Sequence, residues 1–137
     1  MGVFLDFSSG EEVSTRRVFL TFCRTAMFPG FVEEYFWRKT LLGKGSTLFS
    51  ARSLVVNAAY ATSHVLTAPL LATARPGATK VFRDPAFIGL AFALGLACTH
   101  AFIASGHRLY APVILHAATV TLWLTHLGGE RKLSPKK

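Results

Sequence analysis

The sequence predicts an all-α integral membrane protein, a bundle of about four helices enclosing a polar cavity within the membrane. Three observations lead there. Hydrophobic residues make up 51% of the 137-residue chain and charged residues only 16%, with a mean hydropathy of +0.40, whereas an ordinary soluble domain carries about 25% charged residues. The apolar residues are gathered in uncharged runs at 53–74, 85–106 and 109–127. Each run has about the twenty residues that a helix needs to cross roughly 30 Å of hydrocarbon. The basic residues lie between the runs: Lys39, Lys44 and Arg52, then Arg75, Lys80 and Arg83, then Arg131, Lys132, Lys136 and Lys137. Loops facing anionic lipid headgroups have this character.

Each element has a local reason. Residues 1–12 form a polar N-terminal segment, acidic rather than basic-then-apolar, so they do not read as a signal peptide. Ser14 or Thr15 caps a first helix running through RRVFLTFCRTAMFPGFVEEYFWRKTLL. Pro29-Gly30 should kink or interrupt it, because proline removes a donor and crowds the preceding turn. The run Gly43-Lys44-Gly45-Ser46 is a turn. A second helix spans about Ser50 to Ala72, and ARPGATKVFRDP follows as a loop. Asp84-Pro85 starts the third helix, since proline suits the first helical position. Ser105-Gly106-His107-Arg108 turns the chain into a fourth helix, which ends at Gly128-Gly129. The membrane domain is thus 13–128, followed by a solvated basic tail at 129–137.

Gly89, Ala93, Ala97 and Ala101 recur four apart and predict a close helix-packing stripe. Cys23 and Cys98 lie in apolar surroundings without CxxC spacing and read as packing residues. The net charge of +8 does not mark a nucleic-acid binder, because no polar face interleaves basic and aromatic residues. Membrane lipid is the partner that the basic loops imply. The distribution of those loops favours a cytoplasmic N-terminus, 73–85 loop and C-terminal tail.

Ionisable residues within apolar helices cost about 2.5–3.5 kcal/mol each on insertion scales, which makes them functional candidates. Here they are Glu33, Glu34, Arg38, His64, His100, His116 and His126. Glu34 and Arg38 are four apart and can pair. Glu33 is turned about 100° from Glu34 and is expected to meet a different surface. His64 and His116 sit near the middles of separate runs. A carboxylate and imidazoles brought together away from water can activate a water for hydrolysis or bind a metal ion.

These residues also carry a resemblance. EEYFWR at 33–38 resembles the EExxxR signature of the CAAX protease and bacteriocin-processing (CPBP, Abi) family of intramembrane proteases. Tyr60 and His64 in YATSH resemble its FxxxH motif, and His116 in SGHRLYAPVILHA resembles the start of its HxxxN motif. The resemblance spans roughly Phe28 to Thr121 and implies a multi-pass endopeptidase with an intramembrane catalytic cavity. It implies that Glu33 and His64 hold and activate a water, that His116 stabilises the oxyanion, and that Arg38 orients Glu34. It further implies a peptide or prenylated-protein substrate. No cofactor is required on the glutamate-and-water mechanism. A divalent metal such as Zn²⁺, if used, would sit on Glu33, His64 and His116.

Two departures stand against full activity. Val120 occupies the place of the usual Asn, with Thr119 and Thr121 as the nearby hydroxyls. One helix precedes the Glu pair where relatives usually have more, as in a minimal member, a degenerate one or a fragment. The alternatives are a non-catalytic membrane scaffold or immunity-type relative, and a metal or haem protein using His64, His100 and His116.

Overall fold

The computed structural model describes residues 13–135, so the 1–12 segment, Lys136 and Lys137 lie outside the described residues. All elements among the described residues are helices. Helix α1 (Thr15–Thr25) starts at Ser14, whose Oγ accepts the Arg17 amide at 3.3 Å. The chain continues in wide helical turns (Ala26–Phe31), broken where Phe28 is extended (φ −145, ψ 124) just before Pro29. It resumes as α2 (Val32–Glu34), passes into further wide turns (Tyr35–Leu42) and stops at Gly43, whose φ of 68 an L side chain rarely adopts. Of the expected kink or interruption at Pro29-Gly30, the interruption is what forms.

Helix α3 (Ala51–Ala72), expected from about Ser50, is capped by the Ser50 hydroxyl, which accepts the Ser53 amide. Helix α5 (Pro85–Ala104) is capped by Asp84 with Pro85 in its first turn. Between them ARPGATKVFRDP is not simply a loop: Ala78–Phe82 form α4, which buries Ala78, Val81 and Phe82. Helix α6 (Tyr110–His126) has 17 residues, about 25 Å at ~1.5 Å per residue. It is shorter than its uncharged run, because Leu127 leaves helical geometry and Gly128 turns left-handed (φ 75). The tail is not solvated throughout either. Gly129–Leu133 form α7, and Leu133 is buried against α4, with its carbonyl accepting the Gly77 amide at 2.9 Å. These two short helices are what the expectation of about four left out.

Helix α5 is central, packed between α3 and α6; α1 lies on α6, and the Tyr35–Leu42 segment lies on α3. Tyr60, Phe82, Phe87, Ala91, Trp123 and Leu124 belong to one continuous core. The face of α5 that packs is the one bearing Phe87, Ala91, Gly95, Cys98 and Phe102. The predicted small-residue stripe is a correction: Gly89, Ala93 and Ala97 are exposed, and nothing lies within 4 Å of a Cβ placed on Gly89. A four-residue period identifies a face but not the face that meets a neighbour. Here the large aromatics and the Asn57–Thr99 hydrogen bond (3.0 Å) select the other side. The close approach occurs at Gly95, where a Cβ would come within 2.6 Å of Asn57 Oδ1.

Helices α3 and α5 are long and apolar enough to cross a membrane, and only 28% and 33% of their most apolar windows are buried inside the protein. Large apolar side chains face outward instead, including Met27 (76%), Leu66 (78%) and Leu70 (76%). In water such a surface would drive association; against lipid tails it is ordinary. The Arg17–Glu130 ion pair (2.9 Å) and the Gly77–Leu133 contact put the start of α1, the α4 region and α7 at one end of the bundle.

Candidate active site

The break before Pro29 re-aims the chain so that Glu33, Glu34 and Arg38 face α5 and α6. Gly30 is part of that turn, since a Cβ there would meet the Thr25 carbonyl at 2.6 Å. Glu34 and Arg38 are wholly buried and pair as predicted, Arg38 Nε standing 3.2 Å from Glu34 Oε2. Arg38 also donates from Nη2 to the Gly95 carbonyl at 3.0 Å, and its guanidinium lies 5.2 Å from the centre of the Tyr60 ring. A guanidinium taken out of water needs such partners, because each bond offsets part of the desolvation cost.

The two carboxylates do not go to different surfaces. Both reach His116, which is 2% exposed: Glu34 Oε1 is 2.8 Å from Nδ1, and Glu33 Oε2 is 3.9 Å from Nε2. The 100° offset between adjacent helical residues is bridged because His116 enters from α6 between two long side chains. A chain of contacts thus runs Arg38, Glu34, His116, Glu33. Its inner members are closed to solvent, and its last member is 28% exposed.

His64 is half-buried and faces inward. Its Nδ1 is 3.0 Å from the Tyr60 carbonyl, so Nδ1 carries the hydrogen and Nε2 is left as an acceptor. Phe82, Phe87 and Tyr60 meet its ring edge-on at 5.5, 5.4 and 5.1 Å and fix its plane. The Tyr60 ring stands between the imidazoles, 6.2 Å from that of His116. Arg38, His64 and His116 therefore each meet the Tyr60 ring, and Glu33 and Glu34 join them through His116.

The other sequence candidates fall elsewhere. His100 and His126 are exposed, so a ligand set of His64, His100 and His116 is not assembled. Val120 packs against the apolar core. Neither flanking hydroxyl takes its place: Thr119 donates to its own helix at the Leu115 carbonyl (2.9 Å), and Thr121 pairs with Thr25 on α1 (3.0 Å). Cys23 is exposed, whereas Cys98 is buried and does pack, but beside the polar cluster.

Among the described residues, the donor atoms that gather into a metal-sized group are those of Glu34, Cys98 and His116, within 4.8 Å of one another. They do not fit a cation. Glu34 already holds His116 with one oxygen and the Arg38 cation with the other, and a metal ion would have to displace both. Sequence reasoning passed over Gly95 and the Asn57–Thr99 pair, and took Cys98 only as a packing residue; these are ordinary helix residues until α3 and α5 are brought together.

The geometry can be set beside known families. A comparison with protein-family models matches residues 15–122 to the family described as Type II CAAX prenyl endopeptidase Rce1-like. Searches of the curated proteins and of the solved structures find no match. The matched segment runs from the start of α1 into α6 and includes every member of the polar cluster, and on that match the chain belongs to the Type II CAAX prenyl endopeptidase Rce1-like family.

Proposed function

We propose that the chain is a multi-pass membrane endopeptidase that hydrolyses peptide bonds in CAAX-type prenylated substrates, using a water held between Glu33 and His64. The observation that carries this reading is the buried relay from Arg38 through Glu34 to His116, ending beside a partly exposed Glu33. Charge counting explains why such a cluster is tolerable in an apolar bundle. Arg38 and Glu34 cancel, and one further proton shared by Glu33 and His116 Nε2 makes the total zero whichever of them holds it. With that proton on Nε2, Glu33 is a free carboxylate and His116 is a donor, so base and oxyanion stabiliser coexist in one neutral cluster.

The steps follow. Glu33 takes a proton from the water while the His64 Nε2 lone pair accepts its other hydrogen, and the water oxygen adds to the scissile carbonyl. His116 Nε2–H donates to the developing oxyanion, with its ring held by Glu34 at Nδ1. The carbon–nitrogen bond then breaks as Glu33 returns the proton to the leaving amine. The basic end formed by α1, the α4 region and α7 favours the cytoplasmic leaflet for that end.

The test is cleavage of an internally quenched, farnesylated CAAX-type peptide by the protein in lipid nanodiscs. Glu33→Gln is expected to lower turnover by about 10²–10⁴, the usual worth of a general base, with the thermal midpoint unchanged. Wild-type turnover in that variant would falsify the assignment. A second reading, a non-catalytic membrane relative, is favoured by Val120 packing into the core where a donor is expected. It predicts no turnover by the wild-type chain.

A further inference from the structure

The hydrolase reading leaves a question about the oxyanion. Stabilising a tetrahedral intermediate in a water-poor site generally calls on more than one donor. His116 Nε2 is one. One turn further along α6 stands Val120, which has none to give, and the Thr119 and Thr121 hydroxyls are committed elsewhere. Arg38 sits at the far end of the relay from Glu33, bound to Glu34 and to the Gly95 carbonyl.

Tyr60 is different. It is 1% exposed, and its ring lies between the two imidazoles at 5.1 and 6.2 Å. Trp37 (5.9 Å, edge-on), the Arg38 guanidinium and the close approach of Gly95 hold that ring. Yet its hydroxyl has no hydrogen-bond partner among the described residues. The hydroxyl oxygen is not among the polar atoms that are both closed to solvent and without a partner, so it can be reached from outside the packed core. Such a donor, carried on a ring 6.2 Å from the imidazole that faces Glu33, is suited to an acceptor that arrives with the substrate.

We infer that the Tyr60 hydroxyl is a second donor to the scissile carbonyl, acting with His116 Nε2 and supplying the hydrogen bond that Val120 cannot. The bond tightens as the carbonyl oxygen gains charge, so it acts on turnover more than on substrate binding. This assignment rests on the hydrolase reading above.

The experiment is Tyr60→Phe, which keeps every ring contact and removes only the hydroxyl. With the farnesylated peptide in nanodiscs, kcat is expected to fall about 10²–10³-fold with KM unchanged, as for loss of one oxyanion donor. Affinity for a phosphinic peptide, which mimics the tetrahedral anion, is expected to fall in parallel. Wild-type kcat in the variant, or unaltered phosphinate affinity, overturns this assignment alone. Absence of turnover in the wild-type chain overturns the hydrolase reading and this one together.

Discussion

Replacing Arg38 by Met separates what the buried ion pair does for the fold from what it does for the site. At 3.2 Å the two charges attract by about 5 kcal/mol at an effective dielectric of about 20. Removing both from water costs a comparable amount, so the intact pair contributes little net stability. Arg38→Met leaves Glu34 charged at 0% exposure and removes the side-chain donor to the Gly95 carbonyl, and a loss of about 3–5 kcal/mol is expected. His116, still 2.8 Å from Oε1, supplies part of the missing positive charge and holds the loss near the lower figure. The double variant Glu34→Met/Arg38→Met removes both charges together, and stability should return to within about 1 kcal/mol of wild type. Turnover should not return, because His116 has lost the acceptor that fixes its ring. Thermal unfolding in detergent micelles reads the first effect and peptide cleavage the second. A stable Arg38→Met protein, or a cleaving double variant, refutes the reasoning.

Two further outcomes follow from contacts around Tyr60. Gly95→Ala places a Cβ 2.6 Å from Asn57 Oδ1 and 3.0 Å from the Tyr60 ring, and is expected to cost about 1–3 kcal/mol by overpacking. An unchanged thermal midpoint would contradict the close packing of α3 on α5. His64→Phe fits the aromatic surroundings of Phe82, Phe87 and Tyr60, so the fold should hold while turnover falls by about 10² or more. Cleavage at the wild-type rate would remove His64 from the mechanism.

Much of the secondary structure is legible because its causes are local. Ser14, Ser50 and Asp84-Pro85 cap three helices, and the positive φ of Gly43 and Gly106 marks two of the turns. Hydroxyls and carboxylates bond amides two or three residues away, so a short window contains the whole interaction. Helices α4 and α7 were missed for the converse reason. Each is five residues long, too short to hold itself, and each is stabilised by the other through Leu133 and the Gly77 amide.

The site divides along the same line. Glu34–Arg38 is an i,i+4 pair and could be read directly. That Glu33 and Glu34 share one imidazole depends on where α6 passes the break at Phe28–Pro29, which no local pattern encodes. The fate of Thr121 likewise turned on α1 lying against α6.

By itself, the sequence determined the all-α membrane class, the helix starts and the identity of the buried ionisable residues. Hydropathy, capping and i,i+4 spacing are properties of neighbours along the chain. Only the tertiary structure decided which face of α5 packs, which carboxylate holds which nitrogen of His116, and that the Tyr60 ring stands 6.2 Å from that imidazole. Those relations join residues as far apart as Glu34 and His116, which meet at 2.8 Å only after α6 has packed.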